Sequence, residues 1–406
     1  MDSDTPPTTQ TPGQWAVRWL AVASVALACA FVPLAHFVWH GALGHEHPPI
    51  RTRSQVQAPP ATAADVVSGE WMLAKERELR EASPLTWWLR GHWNELRYRC
   101  GVPQSSQVHF GKDDWLFIAT SVSPNNRGWE RATEARRRFL AEGRDLVRAA
   151  GAELCLVVVP DKARVYPDRC WPDDGVVPPR KAPNYARILA ELESLGIPTV
   201  DLAAPLLAHR AAPAPGVPPG ELYFARDTHW RPPAALLAGY TVAAELERRF
   251  GDRLGPRREM AITGPESVRA VGDLTMQLGL LTAVLPDDVI GQRPVALSLL
   301  SDALAEQRDY YGVSMRTPEG LVGMYGDDPD APVLLIGTSF SEENGLDALS
   351  FALGRPVRGQ IVRGAQGMLP LRGALAELRA GTRAKVVVWE LVERGMFEGD
   401  WLDPRL

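Results

Sequence analysis

The chain has 406 residues, enough for two or three domains or for one long α/β unit. Apolar residues make up 45% and charged residues 23%, the composition of a globular protein with a sizeable core. The formal net charge is −5 and the 44 basic residues are scattered, which excludes a nucleic-acid-binding stripe.

Residues 1–14 are rich in Pro and Thr and are expected to be a disordered tail. Within 15–40, the stretch Trp19–Trp39, "WLAVASVALACAFVPLAHFVW", carries no ionisable group other than His36 and the thiol of Cys29. As a helix rising about 1.5 Å per residue it would span about 30 Å, the thickness of a bilayer core. Its terminal tryptophans suit the membrane interface. A buried core helix and a cleavable signal peptide ending near "GALG" (41–44) are the alternatives; an uncleaved transmembrane anchor fits the length best. Orientation stays open, because Arg18 before the span is opposed by Arg51 and Arg53 after it. Residues 41–66 are a Pro/Ala-rich linker.

A helical segment is expected over 67–100, broken near Pro84, with Trp71, Trp87, Trp88 and Trp93 packing on the folded body. From 101 to 406 the pattern changes. "VHF" and "WLFI" flank "GKDD" as a short hairpin, 128–150 has helical spacing, and "LCLVVVP" (154–160) has the apolar continuity of a strand buried on both faces. Helices near 181–195, 343–353 and 370–380 alternate with strands at "IPTVDL", 332–340, 357–362 and 385–391. The alternation predicts an α/β domain with a mostly parallel sheet and helices on both faces. The region 251–331, which includes "GDL" and "YYGV", breaks that rhythm; it is either an insertion or a set of loops over the active face. Outside the apolar span, Cys100, Cys155 and Cys170 allow one bridge among three and do not say which.

Two segments could carry chemistry. In "DTHW" (227–230), Asp227 and His229 stand two apart, so in extended backbone they face the same side, and the carboxylate can orient the imidazole. The competing readings are a helix cap ahead of Pro232-Pro233 and half of a metal site. His36 and His40 belong to the membrane segment, His45 and His47 to the linker, and His92, His109 and His209 stand alone without the paired spacing of a zinc site, so no metal is expected. In "GTSFS" (337–341), Ser339 follows a buried strand and precedes a helix, where an exposed hydroxyl can be a nucleophile; Ser339 or Ser341 capping that helix is the plainer alternative.

In the order "GKDDWLFI", "VVPDKARVYPD", "DTHW", "GTSFS" and "VVWELVER", the chain from about 105 to 396 resembles the alginate O-acetyltransferase family (AlgJ/AlgX), whose members are similar to SGNH hydrolases. The resemblance implies an SGNH-hydrolase-like fold and a triad of Ser339, His229 and Asp227, with no cofactor. It also implies an inner-membrane anchor, a cytoplasmic tail and a periplasmic catalytic domain. The partners implied are a polysaccharide acceptor and a membrane-bound O-acyltransferase that relays the acetyl donor. Gly364 or Gln366 in "RGAQGML" are candidates for an oxyanion donor beside the Ser339 amide. Glu390, Glu393 and Arg394 are expected to form a structural ion-pair network. The same triad with water as acceptor would make an esterase or deacetylase, and a non-catalytic scaffold subunit is a third possibility.

Overall fold

The computed structural model describes residues 71–74, 76, 84–102, 105–123, 126–171, 173, 175–280, 282–284, 294–318, 320–324, 326–362, 368–397 and 401. The apolar segment 19–39, the linker 41–66, Gly364 and Gln366 lie outside these residues. Among the described residues no helix is long and apolar enough to cross a membrane.

Two compact units are present, one formed by 1–104 with 279–302 and one by 105–278 with 303–406. In the first, helix α1 (Pro84–Arg99) begins at its proline, whose missing amide proton costs nothing in a first turn. Asn94 Nδ2 donates to Gly279 O at 3.1 Å, and Ser298 Oγ donates to the Glu95 carboxylate. Trp88 and Trp93 are 49% and 60% exposed, so these two rings are not the packing residues expected of them.

The second unit opens with the hairpin β1 (Val108–Phe110) and β2 (Leu116–Ile118), paired antiparallel around "GKDD". Asp113 and Asp114 take the left-handed backbone that lets so short a connection reverse, a conformation short polar side chains tolerate. Then come α2 (Asn126–Ala149), β3 (Glu153–Val159), α3 (Asn184–Ser194), β4 (Thr199–Asp201), α4 (Ala203–Ala211), α5 (Pro232–Phe250) and β5 (Met260–Ala270). The hairpin β6 (Thr282–Val284) and β7 (Pro294–Ala296) belongs to the first unit. The chain finishes with β8 (Glu306–Thr317), β9 (Gly320–Met324), β10 (Val333–Gly337), α6 (Leu346–Leu353), β11 (Val357–Ile361), α7 (Met368–Arg379) and β12 (Val386–Val392).

Five of these strands form one parallel sheet in the order β11-β10-β12-β3-β4. Because successive side chains leave a strand on opposite faces, each strand feeds two cores. Leu154, Leu156 and Val158 join Val387, Trp389, Leu391, Leu334 and Ile336 in a core covered by α2, α3 and α7. Cys155, Val157 and Val159 join Val386, Val388, Val333 and Leu335 in the opposite core, covered by α5 and α6. Strands buried on both faces have no outward face for polar residues, which is why "LCLVVV" and "VVVW" are continuous rather than alternating. Cys100, Cys155 and Cys170 are all free thiols, so the bridge allowed by the sequence is not formed.

The region that broke the rhythm holds the β6–β7 hairpin and a three-stranded antiparallel sheet, β5-β8-β9. Strand β5 is exposed or half-buried along nearly its whole length, so it carries no apolar period to reveal it.

Candidate active site

Open α/β sheets gather ligands beyond the carboxyl ends of their strands, and three such ends meet here. Strand β3 ends at Pro160-Asp161-Lys162, β10 at Gly337-Thr338-Ser339, and β12 at Glu393. The fourth contribution is the loop ahead of α5. It is pinched shut by the Tyr223–Trp230 bridge, by Arg231 N–H donating to Leu222 O at 2.8 Å, and by Phe224 N–H donating to His229 O at 3.2 Å.

Inside that loop Asp227 is buried, and both of its carboxylate oxygens are fully engaged. Oδ1 accepts from the His229 amide at 2.8 Å and lies 2.5 Å from His229 Nδ1. On its far side, His229 Nε2 is 2.6 Å from Ser339 Oγ. Asp227, His229 and Ser339, 110 residues apart at the His–Ser step, therefore form one continuous hydrogen-bonded line. Asp227 Oδ2 accepts from the Asp273 amide at 2.8 Å and from the Arg308 guanidinium. Burial alone would lift the Asp227 carboxyl, but Arg308 and His229 overcome it and hold the group well below the usual range. Burial would likewise depress His229; the Asp227 carboxylate outweighs it and raises the imidazole to about 9.

Neither helix-capping reading describes these residues. The residue ahead of α5 is Arg231, and no side chain caps that helix; Ser341 Oγ donates to Glu390 instead. Thr228 holds the loop from the other direction, its amide and hydroxyl donating to the two oxygens of Asp273 at 2.8 and 2.5 Å. Trp230 Nε1 donates to Glu343 O at 2.9 Å, and its ring meets Phe340 edge-on with centroids 5.2 Å apart, tying the histidine loop to the segment behind the serine. Each residue of "DTHW" thus makes a distinct contact.

Sequence reasoning missed the groups that support this line. Strand β8 contributes Glu306 and Arg308, which stand two apart as Asp227 and His229 do. The Glu306 carboxylate accepts from the amides of Ala225 and Arg226 at 2.9 and 2.8 Å, fixing the loop just before Asp227. Asp273 comes from "GDL"; a Cβ on Gly272 would lie 2.2 Å from Arg226 O, so the close approach needs glycine. Lys162, from "PDKARV", is buried beneath the loop and donates to Leu116 O, Ala225 O and Asp227 O at 2.6, 2.8 and 3.0 Å. Burial pushes this amine down to about 7, while three carbonyls aimed at three N–H bonds match its charged form. The signal for all four was weak: Lys162 stands inside "VVPDKARVYPD" with no role implied for it, and Asp273, Glu306 and Arg308 lie in the region whose order the sequence does not reveal.

Asp227, His229 and Asp273 also bring three potential metal-ligand atoms within 4.8 Å of one another. All three are committed elsewhere: His229 to Asp227 and Ser339, Asp273 to Thr228, and Asp227 to Arg308, whose guanidinium supplies the positive charge that a cation would bring. The donor set fits an arginine-neutralised Asp–His–Ser line better than a metal site.

The expected ion-pair network around "WELVER" forms with two of its three residues, Glu393 and Arg394. Glu393 pairs with Arg164 at 2.6 Å and approaches Lys181 at 3.5 Å, Lys181 pairs with Asp161 at 2.8 Å, and Arg394 lies 3.7 Å from Asp161. Glu390 takes no part in it. Its carboxylate accepts hydrogen bonds from Thr338 and Ser341, because its position in β12 carries it under the turn after β10 rather than towards Asp161.

Residues 108–393 match the family model described as SGNH hydrolase-like domain, acetyltransferase AlgX. A protein of Pseudomonas syringae pv. tomato named probable alginate O-acetylase AlgJ is 27% identical over 350 residues, covering 83% of each chain. A Pseudomonas putida protein of the same name is 28% identical over 313 residues, covering 74% of this chain and 73% of its own. The solved O-acetyltransferase domain of Pseudomonas putida AlgJ superposes with a TM-score of 0.55 at 26% identity, covering 73% of this chain and 97% of that domain. With an α/β parallel sheet, the hydrogen-bonded line at its carboxyl edge and a family match across most of its length, the chain belongs to the SGNH hydrolase-like, AlgX-type acetyltransferase family and is an O-acyltransferase.

Proposed function

We propose that the protein transfers an acetyl group through a serine acyl-enzyme onto hydroxyls of an exported or cell-surface polysaccharide. One observation carries this reading. His229 Nε2 lies 2.6 Å from Ser339 Oγ while Nδ1 lies 2.5 Å from Asp227, the arrangement in which a base is oriented on one side and meets its nucleophile on the other. Relatives named as alginate O-acetylases support a polysaccharide as acceptor.

In the first half-reaction His229 Nε2 takes the Ser339 proton as Oγ attacks the acetyl carbonyl. The tetrahedral intermediate collapses, the donor's leaving group departs with the proton from His229, and acetyl-Ser339 remains. In the second, His229 deprotonates a sugar hydroxyl, which attacks the acetyl-serine carbonyl; Ser339 leaves and recovers its proton from the imidazolium. Asp227 stabilises the imidazolium in both halves. The Ser339 amide is the oxyanion donor in this scheme.

The apolar stretch Trp19–Trp39 supports a single-pass anchor; its place in the inner membrane, with the catalytic unit in the periplasm, follows only from the family resemblance. The acetyl donor in that setting is handed over by a membrane-bound O-acyltransferase. Ser339→Ala and His229→Ala should each lower acetyl transfer to an oligosaccharide by on the order of 10³-fold or more while circular dichroism shows that both still fold. Free acetate without acetylated sugar would assign the site to an esterase instead, and wild-type transfer by Ser339→Ala would remove the nucleophile.

A further inference from the structure

Strand β12 runs beside β10 with Trp389 opposite Ile336, so the next residue along, Glu390, comes level with Gly337 at the start of "GTSFS". The Glu390 side chain is buried, and among the described residues it forms no ion pair. Its partners are all neutral donors from one turn: Thr338 N–H at 2.8 Å, Thr338 Oγ1 at 3.0 Å and Ser341 Oγ at 3.0 Å. They lie on both sides of Ser339 in the chain. The Thr338 hydroxyl also accepts from Phe340 N–H at 3.3 Å, which extends the grip to the residue after the serine.

Space for this clamp exists because residue 337 is glycine. A Cβ there would fall 2.1 Å from Ser341 Oγ and 3.0 Å from Glu390 Oε2, inside the clamp itself. The motif then resolves residue by residue: Gly337 gives clearance, Thr338 and Ser341 donate, Ser339 faces His229, and Phe340 packs against the imidazole with centroids 5.0 Å apart. A buried carboxylate without a cation is costly unless its hydrogen bonds are satisfied, and burial does push Glu390 upward. Without the carboxylate the Thr338 N–H and the Thr338 and Ser341 hydroxyls would lose their shared acceptor, so the shape of the turn depends on it.

We propose that Glu390 is a positioning residue that brackets the nucleophile, setting the Ser339 Oγ–His229 Nε2 distance from beneath. It touches neither substrate nor the reacting atoms, and the inference rests on the reading of Ser339 as nucleophile. A carboxylate acting this way affects the attack step rather than substrate capture, since displacement of a reacting atom by about 1 Å can cost on the order of 10²-fold in rate.

The test is steady-state acetyl transfer from p-nitrophenyl acetate by the full-length chain, comparing wild type with Glu390→Gln, Ser341→Ala and the double variant. Glu390→Gln keeps the volume but replaces one acceptor with a donor. It should lower kcat roughly 10–100-fold and leave KM within about twofold. Ser341→Ala should lower kcat less, and adding it to Glu390→Gln should change little, because both act through one clamp. A Glu390→Gln enzyme with wild-type kcat overturns the proposal, as does a loss that only tracks the unfolded fraction. If Glu390→Gln does not fold, Thr338→Val and Ser341→Ala decide the matter: each must lower kcat at unchanged KM, or the clamp has no catalytic part. Ser339→Ala run alongside separates the two failures. If it retains activity the nucleophile reading fails, whereas if it is dead and Glu390→Gln keeps wild-type kcat, only the clamp fails.

Discussion

At the scale of single residues, the chemistry turns on how His229 shares its proton. The carboxylate of Asp227 draws that proton in strongly enough to raise the imidazole to about 9. A general base must be neutral to accept the serine proton, so the unliganded site is held in its protonated, resting form at neutral pH. The expected outcome is a kcat/KM that climbs with pH, is half-maximal near 9 and levels above it, measured as a pH–rate profile on an acetyl ester whose own hydrolysis is subtracted. The stability linkage has the opposite sense. The folded value lies above the 6.5 of a free imidazole, so this contribution to stability is complete below about 6.5 and is lost as pH rises through about 9. Activity should therefore rise over the same interval in which this part of the stability fades. Arg308 keeps Asp227 ionised throughout by standing on its second oxygen.

At the scale of elements, the site depends on two close approaches. Helix α5 leaves the histidine loop at Pro232-Pro233 and crosses α6, which follows the serine turn, with Gly239 at the contact. A Cβ on Gly239 would meet Ala348 O at 2.6 Å and Ala348 C at 2.7 Å, backbone atoms that cannot step aside. Gly239→Ala should therefore force the helices apart and cost about 1–3 kcal/mol, read as a lowered midpoint in urea unfolding. Between the serine and α6 the chain turns through Asn344, whose φ is 64°. That conformation suits asparagine, and its side chain is used there, accepting from Tyr311 N–H at 2.9 Å and donating to Asp309 O at 3.3 Å. This scale also explains what the sequence made legible. Strands β3, β10 and β12 are buried on both faces, so their apolar runs stood out, and Pro232-Pro233 announced α5. Strands β5 and β8 lie in a sheet with a wet face and interleave charges with apolar residues, so neither period was visible. Glu306 and Arg308 were hidden with them. The triad residues themselves were readable, because Asp227, His229 and Ser339 sit in short motifs; Asp273 and Lys162 were not, because only the folded chain brings them to the loop.

For the catalytic unit as a whole, two separate sets of charges flank the site. One surrounds the histidine loop: Asp227, Asp273, Glu306, Arg308 and Lys162. The other joins the ends of β3 and β12 through Asp161, Lys181, Glu393 and Arg164. Removing one partner of a buried pair leaves the other charge uncompensated, so Lys181→Met should cost about 3–5 kcal/mol in chemical denaturation. Its effect on kcat, measured on the fraction that remains folded, should be small, because Lys181 makes no contact with the Asp227–His229–Ser339 line. The two sets thus divide the labour, one holding the sheet's carboxyl edge together and the other tuning the base.

The account stands on Ser339 carrying the acetyl group. The most direct measurement is peptide mass spectrometry of the full-length protein, acid-quenched within its first turnovers on an activated acetyl ester. One acetyl group on the peptide containing Ser339, absent from Ser339→Ala and from His229→Ala, is the predicted result. Full turnover with that peptide unmodified, or with the acetyl group on another residue that turnover requires, would contradict it.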